Sequence, residues 1–391
     1  MKTLEMETVI HGECDPRFAA VGEAFRENFR SQGEIGASVA VVLQGRLVVD
    51  LWGGYADRNK KAPWGRDTLV NVFSTTKGVT AICAHRLIER GLLAPETPVA
   101  KYWPEFAAAG KGHIPVGWLL NHRAGLPAVR KNLPDEALYD WKVMTDTLAA
   151  EEPWWVPGEK HGYHAVTFGW LLGELIHRVS GRSVGTYFRE ELGVPLDLDF
   201  HIGLDPTAQA RVARISSSRM PPVDEDGKKL MQLLVSKPHG MVARAFTNPF
   251  SIINGVNTSA WRSAEIPSAN GHGTARALAR LYGILALGGD IDGIRVLSSE
   301  TIRNCFQEES YGTDEILQTV TRFGPGFMLN QDRPGASYGP GRHSFGHPGA
   351  GGSVAFADPE AGLGFAYVMN RMGPHILIDP RATALIDAVY P

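Results

Sequence analysis

The chain has 391 residues, of which 43% are hydrophobic and 21% charged, a composition typical of globular proteins large enough to bury a cleft. Its 39 basic and 42 acidic side chains give a formal net charge of −3, and no basic run is present. This balance argues against nucleic-acid binding and against a polybasic membrane anchor. We therefore expect a small, neutral or mildly charged molecule as the partner, and neither a nucleic acid nor a membrane.

The N-terminus and the cysteines indicate the compartment. Residues 1–7 lack the apolar core of a signal peptide, and no apolar run reaches the length of a membrane span, so we expect a cytoplasmic protein. Cys14, Cys83 and Cys305 are widely spaced and form no Cys-x-x-Cys pair, which argues against a disulfide framework and a thiolate zinc site. We expect no metal and no cofactor.

The two ends of the chain carry the patterns of one antiparallel sheet and its flanking helices. The predicted elements are a helix at 16–31, a hairpin of strands at 37–43 and 46–54, strands at 326–329, 352–358 and 362–369, and a helix at 379–390. The fold class is therefore α+β. We expect residues 1–67 and 307–391 to form one discontinuous domain, with residues 68–306 inserted as a mostly helical domain.

Within this inserted segment, apolar periodicity predicts helices at 74–90, 166–180 and 274–287. Residues 216–270 form the longest stretch with little periodicity. Long loops of this kind in compact domains serve as lids or site walls, and a solvated surface loop is the alternative.

Ser74 and Lys77 stand three positions apart where the helix at 74–90 begins. Positions i and i+3 share one face of a helix, so the lysine amine can reach the serine hydroxyl. Serine becomes a nucleophile when a neighbouring base takes its proton, and lysine is such a base when burial lowers its pKa. A helix N-terminus followed by a surface lysine is the simpler interpretation of the same pair.

Two further stretches could complete a catalytic site. Tyr163 lies in a tight, glycine-containing loop just before the helix at 166–180, where its hydroxyl can enter a cleft or merely pack. Residues 346–352 include Gly349 and three further glycines, and small residues allow backbone N–H groups to approach a ligand, although a plain turn has the same composition. Histidine pairs in these loops lack acidic partners, and no Gly-x-Ser-x-Gly turn is present.

Several blocks together resemble the serine β-lactamase and penicillin-binding-protein superfamily, in its class C-like branch, and most closely the family VIII carboxylesterases. The blocks are Ser74-Thr75-Thr76-Lys77, residues 101–106, residues 119–127, Pro157-Gly158, Tyr163, residues 274–289 and His347-Pro348-Gly349-Ala350-Gly351-Gly352-Ser353. The resemblance runs in order from about residue 16 to residue 390.

The resemblance implies an α/β domain from both termini, an inserted helical domain and a cleft between them. It also implies that Ser74 forms an acyl-enzyme, that Lys77 helps to deprotonate it and that Tyr163 relays the proton to the leaving group. The backbone N–H groups of Ser74 and Ala350 would bind the oxyanion, and His347 would lend a hydrogen bond near the ester.

The sequence departs from the β-lactamase pattern at two motifs. Tyr-x-Asn is replaced by Tyr163-His164-Ala165, and Lys-Thr-Gly by His347-Pro348-Gly349, so the amide and the permanent cation that contact a lactam are missing. Loss of a charge-assisted contact costs on the order of 2 kcal/mol. The sequence thus predicts hydrolysis of short-chain carboxylic esters. The alternatives are β-lactamase or D-amino-acid peptidase activity, acyl transfer to an alcohol, and a non-catalytic binding protein.

Overall fold

The computed structural model describes residues 8–217 and 221–390. Its centre is a nine-stranded antiparallel sheet whose strands come from both ends of the chain, as predicted. In spatial order the strands are Ile10–Cys14, Arg46–Gly54, Gly36–Leu43, Leu363–Met369, Val354–Asp358, Phe345–Pro348, Phe327–Leu329, Val320–Gly324 and Ser310–Thr313.

The predicted hairpin and the strands near the C-terminus meet at the middle of this sheet. Gly36–Leu43 pairs with Arg46–Gly54 on one side and with Leu363–Met369 on the other. The hairpin turn uses Gln44 and Gly45, both at positive φ, which is the geometry of a two-residue turn that matches strand twist. Both central strands are almost wholly buried, in keeping with their continuous apolar sequence.

Helices cover the sheet and fill the middle of the chain. The α-helices are Ala19–Ser31, Thr76–Glu89, Val99–Tyr102, Val116–Leu120, Trp141–Ala150, Thr167–Ser180, Val184–Phe188, Pro206–Gln209, Glu225–Ser236, Met241–Thr247, Ser251–Asn254, Ser259–Ser263, Ala275–Ala286, Ser299–Cys305 and Pro380–Val389. Shorter 3-10 segments are Pro16–Phe18, Pro104–His113 and Asp135–Tyr139, and Arg189–Gly193 is a π-helical turn. Small sheets are formed by Val70–Asn71, Gly271–Gly273 and Phe200–Ile202, and by Asp290–Ile291 with Ile294–Arg295.

The helix Ala275–Ala286 belongs to the segment predicted as an insertion, but it packs on the large sheet. A side chain at Gly364 would meet the backbone of Gly283 and Ala279 at 2.2–2.4 Å, so this helix and strand approach as closely as glycine permits. The domain boundaries at 67/68 and 306/307 stay a prediction.

The stretch 216–270 differs from its prediction. Its weak periodicity predicts a long loop, but its described part contains four helices of 4 to 12 residues between Glu225 and Ser263. Two of them begin at polar caps, since the Asp224 carboxylate accepts from Gly227 N at 2.6 Å and Thr258 Oγ1 accepts from Trp261 N at 3.2 Å. Short capped helices leave weak periodicity, which explains the error. Residues 218–220 lie outside the described residues.

Across residues 8–217 and 221–390, no helix combines the length and apolar character needed to cross a lipid bilayer.

The contact between Gly364 and the helix Ala275–Ala286 predicts a stability effect. Gly364→Ala forces the helix away from the sheet, and overpacking of this kind costs about 1–3 kcal/mol of unfolding free energy. Urea denaturation followed by circular dichroism measures it. Gly112→Ala, where an added Cβ meets nothing closer than 3.7 Å, is the control and should change the free energy by less than about 0.5 kcal/mol. Equal effects of both substitutions would contradict the proposed close contact.

Candidate active site

Ser74 stands just ahead of the helix Thr76–Glu89, which we call the nucleophile helix. The preceding residue, Phe73, has a positive φ of 46°, a conformation that L-residues rarely adopt and that costs on the order of 1–3 kcal/mol. Strained backbone of this type collects at functional sites because the surrounding fold must hold it. The sharp turn leaves Ser74 on the wall of a cavity.

Lys77 lies in the first turn of the nucleophile helix and is completely buried. Its Nζ is 3.2 Å from Ser74 Oγ, and it donates hydrogen bonds to the carbonyl oxygens of Ala165 at 2.6 Å and Ser268 at 2.8 Å. Burial lowers the pKa of Lys77 well below its usual value. The alternative interpretation, a helix start with a surface lysine, is therefore wrong.

The three neighbours of the Lys77 amine define what it can do. A neutral amine has two N–H groups and one lone pair. Ala165 and Ser268 offer only carbonyl oxygens, which accept, so they use both N–H groups. The lone pair is then left for the remaining neighbour, the Ser74 hydroxyl, which is the arrangement in which a base takes a proton from a nucleophile.

Tyr163 brings a phenol to the same place. Lys77 Nζ lies 4.7 Å from the centre of the tyrosine ring. Burial raises the pKa of the Tyr163 phenol, and the neighbouring Ser74 hydroxyl opposes that rise. The Tyr163 hydroxyl is buried beside Ser74 but completes no well-aligned hydrogen bond within the described residues. It is thus free to exchange a proton with a bound molecule.

The Tyr163 loop is anchored by Asp314, a residue that the sequence did not single out. Both carboxylate oxygens of Asp314 lie 3.0 Å from Tyr163 N and accept from it. One of them also accepts from the backbone N–H groups of Ile316 and Leu317, each at 2.8 Å. Asp314 therefore fixes Tyr163 relative to Leu317, which lines the cavity. Asp314 could not be identified from the sequence, because an isolated aspartate between two strands belongs to no recognisable motif.

Residues 349–352, which we call the oxyanion loop, face the turn that carries Ser74. A Cβ on Gly349 would lie 2.2 Å from both Val72 O and Ser353 Oγ, so only glycine fits between them. Gly349 N donates to Ser353 O at 2.6 Å and Gly352 N donates to Gly349 O at 3.1 Å. Ala350 N–H has no acceptor in the described part of the chain, and Ala350 lines the cavity together with Ser74.

His347 lines the cavity too, with its ring centre 5.8 Å from that of Tyr163. Its Nδ1 lies 2.6 Å from the carbonyl oxygen of Pro348, which can only accept, so Nδ1 carries the proton. Burial lowers the pKa of His347 to about 3, and the ring is neutral at ordinary pH. Its Nε2 is then an acceptor, buried and without a donor among the described residues.

The cavity beside Ser74 has a volume of about 140 Å³ and a mostly apolar wall. Its apolar lining comes from Phe73, Val166, Phe246, Ile252, Trp261, Leu317, Met328, Ile376 and Leu377. Phe246, Ile252 and Trp261 belong to the stretch 216–270, in agreement with its interpretation as a site wall. A larger cleft of about 910 Å³ elsewhere is lined by none of the predicted site residues.

The aromatic and histidine residues flanking Tyr163 have other roles. Trp154 and Trp155 do not line this cavity, and their indole N–H groups donate to the carbonyl oxygens of Ala128 and Lys160, respectively. His164 is buried, with its Nε2 accepting from Leu126 N at 3.0 Å. These side chains hold the loop that presents Tyr163.

The chain is similar to known proteins over nearly its whole length. A family model described as Beta-lactamase matches residues 21–388. The esterase/beta-lactamase LipL of Mycobacterium tuberculosis is 40% identical over 377 residues, covering 95% of this chain and 85% of LipL. Crystal structures of a penicillin-binding protein homologue from Caulobacter crescentus and of a family VIII carboxylesterase are 43% and 40% identical. Each has a TM-score of 0.89 and covers 98% of this chain and 99% of its own.

These relatives confirm the predicted class of enzyme, a carboxylesterase among the serine hydrolases. The chain belongs to the beta-lactamase family, in its family VIII carboxylesterase branch. The predicted fold, an antiparallel sheet with flanking helices and a helical middle, is confirmed by the same comparisons.

The buried amine predicts the pH dependence of catalysis. A protonated Lys77 has no lone pair, so kcat/KM should rise with pH as Lys77 loses its proton, with a midpoint well below 10.5. His164 and His347, each with a pKa of about 3, are already neutral above about pH 5 and cannot cause this rise. A pH–rate profile with p-nitrophenyl acetate, corrected for spontaneous hydrolysis, measures it. A rise in kcat/KM with its midpoint at or above 10.5 would contradict the role of the buried amine.

Proposed function

We propose that this protein hydrolyses short-chain carboxylic esters through an acyl-enzyme on Ser74. The observation that carries the proposal is the hydrogen-bonding of the Lys77 amine. Lys77 Nζ donates to two carbonyl oxygens and lies 3.2 Å from Ser74 Oγ, so in the neutral amine the lone pair is left for the Ser74 hydroxyl. Ser74 lies at the cavity together with the Tyr163 phenol and the Ala350 N–H, so the proposal requires no second serine.

In the acylation half of the reaction, Ser74 Oγ attacks the ester carbonyl carbon while its proton passes to Lys77 Nζ. The carbonyl oxygen becomes an oxyanion, bound by the N–H groups of Ala350 and Ser74. Such donors are worth about 3 kcal/mol each in related chemistry. The C–O bond then breaks, and the Tyr163 hydroxyl passes a proton to the leaving alkoxide and is reprotonated from Lys77. The alcohol leaves and Ser74 carries the acyl group.

Deacylation uses the same groups in reverse order. Water enters where the alcohol left and attacks the acyl carbon, and its proton passes through Tyr163 and Lys77 back to Ser74 Oγ as the second tetrahedral intermediate collapses. The product is the carboxylic acid. Microscopic reversibility requires the same acid and base in both halves, and the position of Tyr163 beside both Ser74 and Lys77 supports this assignment.

The cavity supports a small, uncharged acyl group. Its volume of about 140 Å³ is close to that of an apolar cavity that holds one benzene-sized molecule, about 150 Å³. The lining offers no permanent charge. Nε2 of His347 presents a lone pair, which does not attract a carboxylate, in the position where the β-lactamase motif has a lysine cation.

β-Lactamase or D-amino-acid peptidase activity is the main alternative, and the neutral His347 does not favour it. Ester substrates should therefore show a higher kcat/KM than the anionic cephalosporin nitrocefin. Transfer of the acyl group to an added alcohol would use the same acyl-enzyme and would appear as a second product. A purely binding role is disfavoured by the contact between Ser74 and the Lys77 amine.

The nucleophile assignment predicts the effect of Ser74→Ala. The rate of p-nitrophenyl acetate and butyrate hydrolysis should fall by about 10³-fold or more, since the covalent step is lost. A fluorophosphonate probe should label the wild type and not the variant. Ser259→Ala, which changes an exposed serine on a separate short helix, is the control and should keep both turnover and labelling. Undiminished turnover in Ser74→Ala would overturn the proposal, and faster hydrolysis of nitrocefin than of the esters would favour the alternative.

The cavity wall predicts a shift in acyl-chain preference. Phe246→Ala enlarges the cavity, so the kcat/KM optimum in a series of p-nitrophenyl esters should move from short towards longer acyl chains. Phe250→Ala is the matched control, because Phe250 is 54% exposed, lies four residues further on and does not line the cavity. An unchanged chain-length profile in Phe246→Ala would show that the acyl group binds elsewhere.

A further inference from the structure

Behind the oxyanion loop lies a buried ion cluster that the catalytic steps above do not use. Arg381, only 4% exposed, pairs with Glu34 at 3.0 Å and with Asp379 at 2.8 Å. The Tyr367 hydroxyl donates to the other oxygen of Glu34. Asn28 Nδ2 donates to the backbone carbonyl of Arg381 at 3.1 Å. The cluster thus fixes the guanidinium from several directions in the interior of the protein.

One guanidinium nitrogen of Arg381, Nη2, donates both to Asp379 Oδ2 at 3.3 Å, within the cluster, and to the oxyanion loop. Nη2 donates to the carbonyl oxygen of Gly351 at 2.9 Å, and Gly373 N donates to the same oxygen at 2.8 Å. Gly351 has a positive φ of 84° and follows Ala350 directly. A guanidinium holds its donors in a rigid plane, so the direction of this contact is set by the two carboxylates.

The other side of Ala350 is held as well. Gly349 is wedged against Val72 O and Ser353 Oγ, with no room for a Cβ. Ala350 therefore lies between one neighbour fixed by packing and another fixed by Arg381. The two are linked by a hydrogen bond, since Gly352 N, in the same peptide plane as the Gly351 carbonyl, donates at 3.1 Å to Gly349 O, which is in the same peptide plane as the Ala350 N–H.

We propose that Arg381 is a positioning residue that aims the Ala350 N–H at the ester oxyanion by fixing the Gly351 carbonyl. This inference rests on the proposed function, in which Ala350 N–H binds the oxyanion. Displacement of a reacting group by about 1 Å can cost on the order of 100-fold in rate. Loss of Arg381 should accordingly reduce kcat more than it changes KM.

A merely structural role for Arg381 makes a different prediction. The cluster also ties the closing helix Pro380–Val389 to the loop before Gly36, so its loss could lower the folded fraction. That effect would reduce the rates of all substrates equally. Thionoesters separate the two cases, because sulfur is a weaker hydrogen-bond acceptor than oxygen and gains less from an oxyanion hole.

The test compares oxoester and thionoester hydrolysis in Arg381→Lys and in Tyr367→Phe. Arg381→Lys should lower kcat for the oxoester on the order of 10- to 100-fold. The thionoester rate should fall much less, so the ratio of the oxoester rate to the thionoester rate should decrease strongly. Tyr367→Phe removes a hydrogen bond from the same cluster without touching Gly351, and it should keep the wild-type ratio. Thermal unfolding of each variant reports the folded fraction.

Two results would overturn the inference. One is an equal loss of oxoester and thionoester rates in Arg381→Lys, and the other is an equal decrease of the oxoester-to-thionoester ratio in Tyr367→Phe. If Arg381→Lys does not fold, Asp379→Asn is used instead, because it weakens the ion pair that orients Arg381. The ratio of the oxoester rate to the thionoester rate in that variant then tests the positioning role. A wild type that hydrolyses neither ester would refute the proposed function itself. A wild type that is active, with an unchanged ratio in the Arg381 and Asp379 variants, would refute only the positioning role.

Discussion

The site depends on the burial of one amine among backbone carbonyls. Among the described residues, the hydrogen-bonding neighbours of the Lys77 amine are the Ser74 hydroxyl and the carbonyl oxygens of Ala165 and Ser268. Those two carbonyls come from distant parts of the chain, beyond the Tyr163 loop and before the strand Gly271–Gly273. The turn at Ser74 and the start of the nucleophile helix bring Ser74 and Lys77 together, and the carbonyl oxygens of Ala165 and Ser268 leave the lone pair of the neutral amine for Ser74.

The same constraint explains what sequence could and could not predict. The pair Ser74 and Lys77 could be predicted because the two residues lie three positions apart where a helix begins. The sheet could be predicted because its central strands are continuous apolar runs. The carbonyl partners of Lys77 are not readable, since a backbone oxygen carries no residue signature. Asp314 acts through contacts with a loop far away in the chain. Phe246 and Ile252 lie on short helices whose periodicity is too weak to place them.

The proposed preference for esters depends on a protonation state as well as on a missing residue. The carbonyl of Pro348 fixes the proton on Nδ1 of His347, and burial keeps the ring neutral. Apart from the hydroxyl groups of Ser74 and Tyr163, the cavity is therefore lined by apolar side chains and one neutral acceptor. A β-lactam carboxylate would lose its water there without gaining a cation, which is an unfavourable exchange.

The buried Lys77 also couples folding to protons. An unfolded lysine stays protonated up to a pH near 10.4, whereas the pKa of the folded one is lowered by burial. Between those two values the unfolded chain binds one more proton, so folding releases a proton and the free energy of unfolding rises with pH. Below the lowered pKa the full penalty of a buried charge is present. The protein thus gives up conformational stability at every pH below about 10.4, and in the proposed mechanism this is the cost of a neutral amine beside Ser74.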